Sequence, residues 1–206
     1  MNKSEAVIIL ASASPRRKEL LAQIGVDCLC QPVDIDESAF ENEPVISYVK
    51  RLAKEKAMAG WNQSDKSLAV LGADTIVVHK HQLLGKPDNE AEAIETLQQL
   101  SGQTHHVYTA VAVVNDGFSE ISISQSEVEF GYIDKDLIQA YVATGEPMDK
   151  AGCYGIQGLA ALWIKKITGS YSSVMGLPLY ETGQLLRKLD IITVYNPQTD
   201  KSDQNV

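Results

Sequence analysis

The sequence predicts an α/β protein with a mixed, twisted central sheet flanked by helices. Three observations carry this prediction. Apolar runs of strand length alternate with stretches of helical period along the chain. Asn115-Asp116-Gly117 parts two strand-like segments, about 106–114 and 121–130, and is a strong hairpin signal. Strand–helix–strand successions elsewhere imply crossovers, so one sheet must hold both kinds of connection.

Ala6-Val7-Ile8-Ile9-Leu10 reads as a buried strand. Ser14 is a good N-cap, Pro15 suits the first helical position, and Leu20, Leu21 and Ile24 continue a helix that Gly25 stops. A second strand, about 26–33, runs into the acidic loop Asp34-Ile35-Asp36-Glu37-Ser38. A helix is expected over about 44–60, and an apolar run over 68–78 is interrupted only by Gly72-Ala73-Asp74-Thr75. After the turn Gly85-Lys86-Pro87, Asp88 can cap a helix that runs to Gly102. Beyond the hairpin, Asp134 caps a helix ending at Gly145, and a loop rich in special residues covers 146–158. A strand around 161–167 and a helix over about 177–189 complete the order. The polar tail 196–206 is expected to be disordered, which leaves 1–195 as one domain.

At 206 residues the chain can bury a full core. A formal net charge of -9 argues against general nucleic-acid or anionic-membrane binding. No apolar run approaches the roughly 20 residues of a membrane span, and the start lacks a signal peptide's apolar core. Cys28, Cys30 and Cys153 are odd in number and form no C-x-x-C, which fits reduced thiols in a cytoplasmic protein without structural zinc. His79, His81, His105 and His106 lack metal-ligand context and read as surface or strand-edge residues.

The chemistry begins at Ser12-Ala13-Ser14-Pro15-Arg16-Arg17-Lys18. A helix N-terminus carries positive partial charge and favours acidic side chains. Three cations there, with free N–H groups and the hydroxyls of Ser12 and Ser14, make a site for phosphate. A merely solvated basic patch is the alternative. On the 44–60 helix, at 100° per residue with Val45 at zero, Lys56 falls at about 20°, inside the stripe of Val49, Leu52, Tyr48 and Ala59. Lys50, Arg51 and Lys54 fall outside it as ordinary surface charges. A lysine among apolar residues must meet an anion or snorkel from the helix end. If it faces a bound anion alone, Lys56→Met leaves the unliganded protein melting unchanged or higher.

Asp74 has apolar neighbours on both sides, so it must be paired, metal-bound or protonated, unless it only shapes a turn after Gly72. Such carboxylates serve as general bases or magnesium ligands. Glu37, with Asp34 and Asp36, forms an acidic loop that alone does not establish a metal site. Lys86 is likewise ambiguous alone. Gln157, in the glycine-rich 149–158 loop, offers the donor and acceptor that base recognition needs, although a plain connector reads equally well.

Together these segments resemble the Maf-type nucleoside triphosphate pyrophosphatases. The matching stretches are LASASPRRKE from Leu10, LAKEKA from Leu52, GADT from Gly72, GKP from Gly85, LSGQT from Leu100 and DKAGCYGIQG from Asp149. GSY at Gly169 and GLP at Gly176 complete the set in family order. The resemblance implies two lobes around a substrate cleft, in an inosine-triphosphatase-like α/β fold. It implies hydrolysis between the α and β phosphates, giving a nucleoside monophosphate and pyrophosphate, in a nucleotide-pool house-cleaning role. The DKAGCYGIQG loop is similar to that of the branch acting on dTTP and UTP. Also implied are a divalent cation, Mg²⁺ or Mn²⁺, held by Glu37 and Asp74, and Asp74 as general base. Lys56, Lys86 and Arg17 would neutralise phosphate charge, and Arg16, Thr75 and Gln157 would tune substrate choice. The partner is then the nucleotide, with no nucleic acid and no membrane, and a homodimer is compatible. Alternatives are action on modified purine triphosphates, or a non-catalytic nucleotide-binding regulator of cell division.

Overall fold

The computed structural model describes residues 6–191; the segment expected to be disordered, 196–206, lies outside them. Among the described residues seven strands join in one sheet. β1 (Ile8–Leu10) lies parallel to β2 (Cys28–Cys30) and to β3 (Val70–His79). β4 (Gln82–Leu84), β5 (Thr104–Asn115), β6 (Phe118–Phe130) and β7 (Ile164–Thr168) add antiparallel pairs. The order across the sheet is β2-β1-β3-β5-β6-β7, with β4 paired to β3. The mixed sheet and the hairpin at Asp116-Gly117 are as the sequence predicts.

Six helices accompany the sheet among the described residues: α1 (Pro15–Gln23), α2 (Val45–Gln63), α3 (Glu90–Leu100), α4 (Lys135–Val142), α5 (Tyr171–Val174) and α6 (Leu179–Arg187). The period-2 side chains of β3 and β5 divide between two cores. Leu71, Val111 and Val113 join Leu20 of α1, Leu97 of α3, Ile138 of α4 and Leu186 of α6 on one face. Val70, Ala110, Ala112 and Val114 join Val49, Ala53 and Ala57 of α2 on the other. The result is helix, sheet and helix in three layers.

Two expectations need correction, and one strand was not anticipated. Asn89, not Asp88, caps α3: its side chain accepts from the Glu92 amide at 3.0 Å, because only Asn89 stands three residues before that amide. β4 had no sequence signal, since the β3–β4 turn uses Lys80 and His81 at φ 47° and 67°, where glycine or asparagine is usual. His79 and His105 are buried rather than at the surface. They lie on the sheet's central strands, and His105 packs edge-on against Phe130 and Tyr154.

Candidate active site

The sheet itself makes the opening. β1 pairs with β3 only at Val70 and Leu71, and β4 reaches β3 only from Val77. Between them the β1-side edge of β3 is bare over Gly72 to Ile76, and a cleft of about 690 Å³ opens there. This is where the chain leaves the C-terminal end of β1, the place where parallel strands commonly present ligands. Ser12, Ser14, Arg16, Arg17, Glu37, Lys56, Asp74, Thr75 and Lys86, nine of the ten sequence-predicted site residues, line this one cleft. Gln157 does not: it is exposed and absent from the cleft wall, while its neighbours Gly155 and Ile156 belong to it.

Lys56 reaches Asp74 because α2 lies almost on the strand. A Cβ at Gly72 would stand 2.4 Å from the Ala57 amide nitrogen and 2.5 Å from the Ala53 carbonyl oxygen, so only glycine admits the helix. The small residues Ala53, Ala57 and Gly60 complete the helix face there, whereas Tyr48 and Ala59 are only partly buried. The Lys56 Nζ donates to Asp74 Oδ1 at 2.7 Å and stands 2.6 Å from Glu37 Oε1. Lys56 thus snorkels neither to solvent nor toward phosphate alone. It neutralises two carboxylates, and this overturns the expectation that its removal would be harmless to the unliganded fold.

Burial raises the Asp74 pKa above the ordinary aspartate value, against the opposing pull of Lys56 and Arg17. Glu37 goes the other way. Burial alone would raise it, but the Lys56 hydrogen bond and the charges of Lys56, Lys86 and Arg17 hold it low. The two carboxylates are therefore unlike: Glu37 is a settled anion, while Asp74 is a carboxylate inclined to take a proton.

Arg17 is spent largely on the frame. It donates through Nε to the Gly176 carbonyl at 2.8 Å, through Nη1 to Ser12 Oγ at 3.1 Å, and through Nη2 to Thr75 Oγ1 at 3.5 Å. Thr109 gives its hydroxyl proton to the Ser173 carbonyl at 2.8 Å, so Thr75 donates to Thr109 across 3.0 Å. Arg17 ties the β1–α1 loop to the 170s turn and keeps two of its five N–H groups for a ligand. Ser14 caps α1 without a side-chain hydrogen bond, and its amide donates to Ser12 Oγ at 3.2 Å. Arg16 is 4.0 Å from Asp149, a contact across the cleft. Lys86 has no ion-pair partner among the described residues and faces the same space.

Sequence reasoning missed two supports. Tyr48 donates its hydroxyl to the Glu37 carbonyl at 2.7 Å. Arg51, read as a surface charge, is half-buried and holds Glu43 through Nε at 2.8 Å. The wheel registers only apolar company, and the signal it passed over was the glutamates at 43 and 55 around Arg51.

Two carboxylates that converge on one cation, beside open cationic walls, are a donor set Mg²⁺ takes when phosphate oxygens and waters complete its shell. Among the described residues no group of three or more His, Cys, Asp or Glu converges, so the chain alone makes no complete cage. Glu37 and Asp74 are the two carboxylates a cation in this cleft would use.

The family model of the Maf-like proteins matches residues 7–189. A dTTP/UTP pyrophosphatase of Aromatoleum aromaticum is 51% identical over 199 residues, covering 90% of this chain and 97% of the relative. The protein of the same description from Pseudoalteromonas atlantica is 48% identical over 90% of this chain and 98% of its own. That from Escherichia coli O157:H7 is 46% identical over 95% and 98%. A solved nucleoside-triphosphatase (dITP/XTP pyrophosphatase) from Mycobacterium abscessus aligns with 61% of this chain and 74% of its own, at TM-score 0.41 and 16% identity. That likeness is too slight to carry an argument.

Proposed function

The chain belongs to the Maf-like protein family, and from that premise we propose that it is a pyrophosphatase that hydrolyses dTTP and UTP to the monophosphate and pyrophosphate. One observation carries the chemistry: a buried carboxylate with a raised pKa, Asp74, faces the same cleft as Lys86, Arg16 and Arg17. Relatives about half identical over nearly all of both chains supply the substrate class.

Asp74 accepts a proton from water as the water oxygen bonds to the α-phosphorus. The bridging P–O bond breaks and pyrophosphate leaves with that electron pair. The free N–H groups of Arg17, the guanidinium of Arg16 and the ammonium of Lys86 offset the charge that collects on the phosphate oxygens. Glu37 and Asp74 would hold a divalent cation, whose contribution is to polarise phosphoryl oxygens and neutralise their charge. Lys56 holds the two carboxylates on one ammonium and favours the ionised form of both, and the 149–158 loop shapes the far end through Gly155 and Ile156. The unbridged Cys28, Cys30 and Cys153 support a reducing compartment, the cytoplasm. No helix among the described residues is long and apolar enough to cross a membrane.

The test is a nucleotide panel. With Mg²⁺ or Mn²⁺ the purified protein is expected to release pyrophosphate from dTTP and UTP, ahead of GTP and 7-methyl-GTP. Orthophosphate as first product, or a rate indifferent to chelator, overturns the proposal.

A further inference from the structure

Residues 31–44 form neither helix nor strand, yet they bring Glu37 to the cleft. Most of what fastens the middle of this segment comes from one side chain on α2. Arg51 grips Glu43 with both arms of its fork, Nε to Oε1 and Nη2 to Oε2, each at 2.8 Å. The same Nη2 donates to the Ser38 carbonyl at 2.9 Å, and Nη1 donates to Glu55 Oε2 at 3.1 Å. The guanidinium carbon, Cζ, lies 4.0 Å from the Phe40 ring centroid and 5.5 Å from that of Tyr48. The carboxylate of Glu43, only 8% exposed, also accepts from the Phe40 amide at 3.1 Å. Hydrogen bonds to Glu43 hold the Arg51 charge more firmly still, raising its pKa.

Ser38, Phe40 and Glu43 therefore all converge on one guanidinium. A planar fork with five donors can do this; a lysine, with a compact point charge and no plane, cannot. Glu37 sits immediately before Ser38. With its carbonyl held by Tyr48, its carboxylate is delivered to Lys56 and faces Asp74 across that ammonium. A segment without ladder bonds has to be ordered by something. If substrate did the ordering, binding would bear that entropic cost; a preformed clamp removes it.

We infer that Arg51 is a positioning residue: it clamps the acidic loop in place before substrate arrives and so presets Glu37 opposite Asp74. Arg51 touches no reacting atom, and its effect on turnover passes through Glu37. This rests on the proposed pyrophosphatase reading, in which Glu37 serves the site.

Arg51→Met and Arg51→Lys should both raise amide hydrogen exchange at Phe40 and its neighbours more than tenfold without nucleotide, while β3 and β5 amides keep wild-type protection. Both should lower kcat/KM for dTTP at least tenfold. In a Glu37→Gln background the same changes should cost less than threefold, because the group they position is already lost. Wild-type exchange over 34–43, losses that multiply fully with Glu37→Gln, or Arg51→Lys behaving as wild type would each overturn the inference. A wild-type protein that released no pyrophosphate would sink the functional reading, and the exchange experiment would still decide the clamp.

Discussion

Asp74 and Tyr154 both line the cleft, but they are held there by different physics. Around Asp74 the order comes from charge, one ammonium shared by two carboxylates. Around Tyr154 it comes mostly from rings and close-packed backbone. The Tyr154 hydroxyl is hydrogen-bonded to His105 Nε2 at 2.8 Å, and the ring centroid lies 4.9 Å from that of Phe130, edge to face. Burial pushes the His105 pKa down to about 3, so this imidazole is neutral and takes no part in charge exchange. The partners at the Asp74 end are ions, and a triphosphate with its counter-ion brings the same kinds of charge. The contacts among Tyr154, His105 and Phe130 carry no charge to exchange. One end is built to trade partners and the other to keep its shape.

Breaking the charged end should give the largest effect. Asp74→Asn is expected to lower turnover about 100-fold or more, since a positioned base typically contributes about 10²–10⁴. It should also stabilise the protein near pH 8. The folded pKa of Asp74 lies above its unfolded value, so its ionised form is held at a cost and wild-type stability falls as pH rises through the folded pKa. Asparagine escapes that loss. The melting temperature should rise by about 2–4 °C for each kcal/mol relieved, and the gain should vanish toward about pH 4. Melts across pH beside single-turnover rates check both parts. A variant less stable than wild type at pH 8 would mean that the Lys56 pairing outweighs burial.

Lys56→Met should reverse the sign of that stability effect. Without the ammonium, burial drives the Asp74 pKa higher still, and Glu37 loses the bond that keeps its own pKa low. Both changes destabilise at high pH, and both disappear below the unfolded carboxylate values of about 4. Removing one partner of a buried pair costs about 3–5 kcal/mol, so the melting temperature at pH 8 should drop clearly and recover on acidification. Turnover should fall about tenfold or more, less than in Asp74→Asn. A pH-independent loss of stability would place the effect in packing rather than charge.

How much of this was legible in the sequence follows the same division. Period and turn signals located six of the seven strands of the sheet, and the helical wheel singled out Lys56 because a cation among Val49 and Leu52 violates a local rule. The wheel could not see that Glu37 would meet Lys56, because nothing local ties a loop carboxylate to a helix lysine 19 residues away in sequence. Arg51 was hidden for the same reason: its partners come from a loop without period. His79 and His105 were misplaced because alternation treats histidine as polar, and only tertiary packing reveals a neutral, buried ring. Gln157 was singled out by its donor and acceptor and by the family resemblance, and neither fixes where a side chain in a glycine-rich loop points.

The smallest effect on turnover is expected where the end of the cleft around Tyr154 is disturbed. Glu146 accepts from the Tyr141 hydroxyl at 3.0 Å and from the Leu159 amide at 3.2 Å, joining α4 to the end of the 149–158 loop. Gly158 leaves room for that carboxylate: a Cβ there would stand 2.0 Å from Glu146 Oε1. Gly158→Ala must therefore push the carboxylate aside and break both bonds. Each lost bond to a partly buried group costs roughly 1 kcal/mol, so the melting temperature should fall by several degrees. Asp74, Lys56 and Glu37 are untouched, so kcat for dTTP should stay within about threefold while KM rises. Glu146→Ala vacates the same space. In that background Gly158→Ala should add little, giving a strongly non-additive cycle in melting temperature. Additive losses would mean that the glycine is needed for its own backbone rather than for Glu146. A kcat that fell as far as in Asp74→Asn would mean that the two ends of the cleft are one mechanical unit, and the contrast between them would not hold.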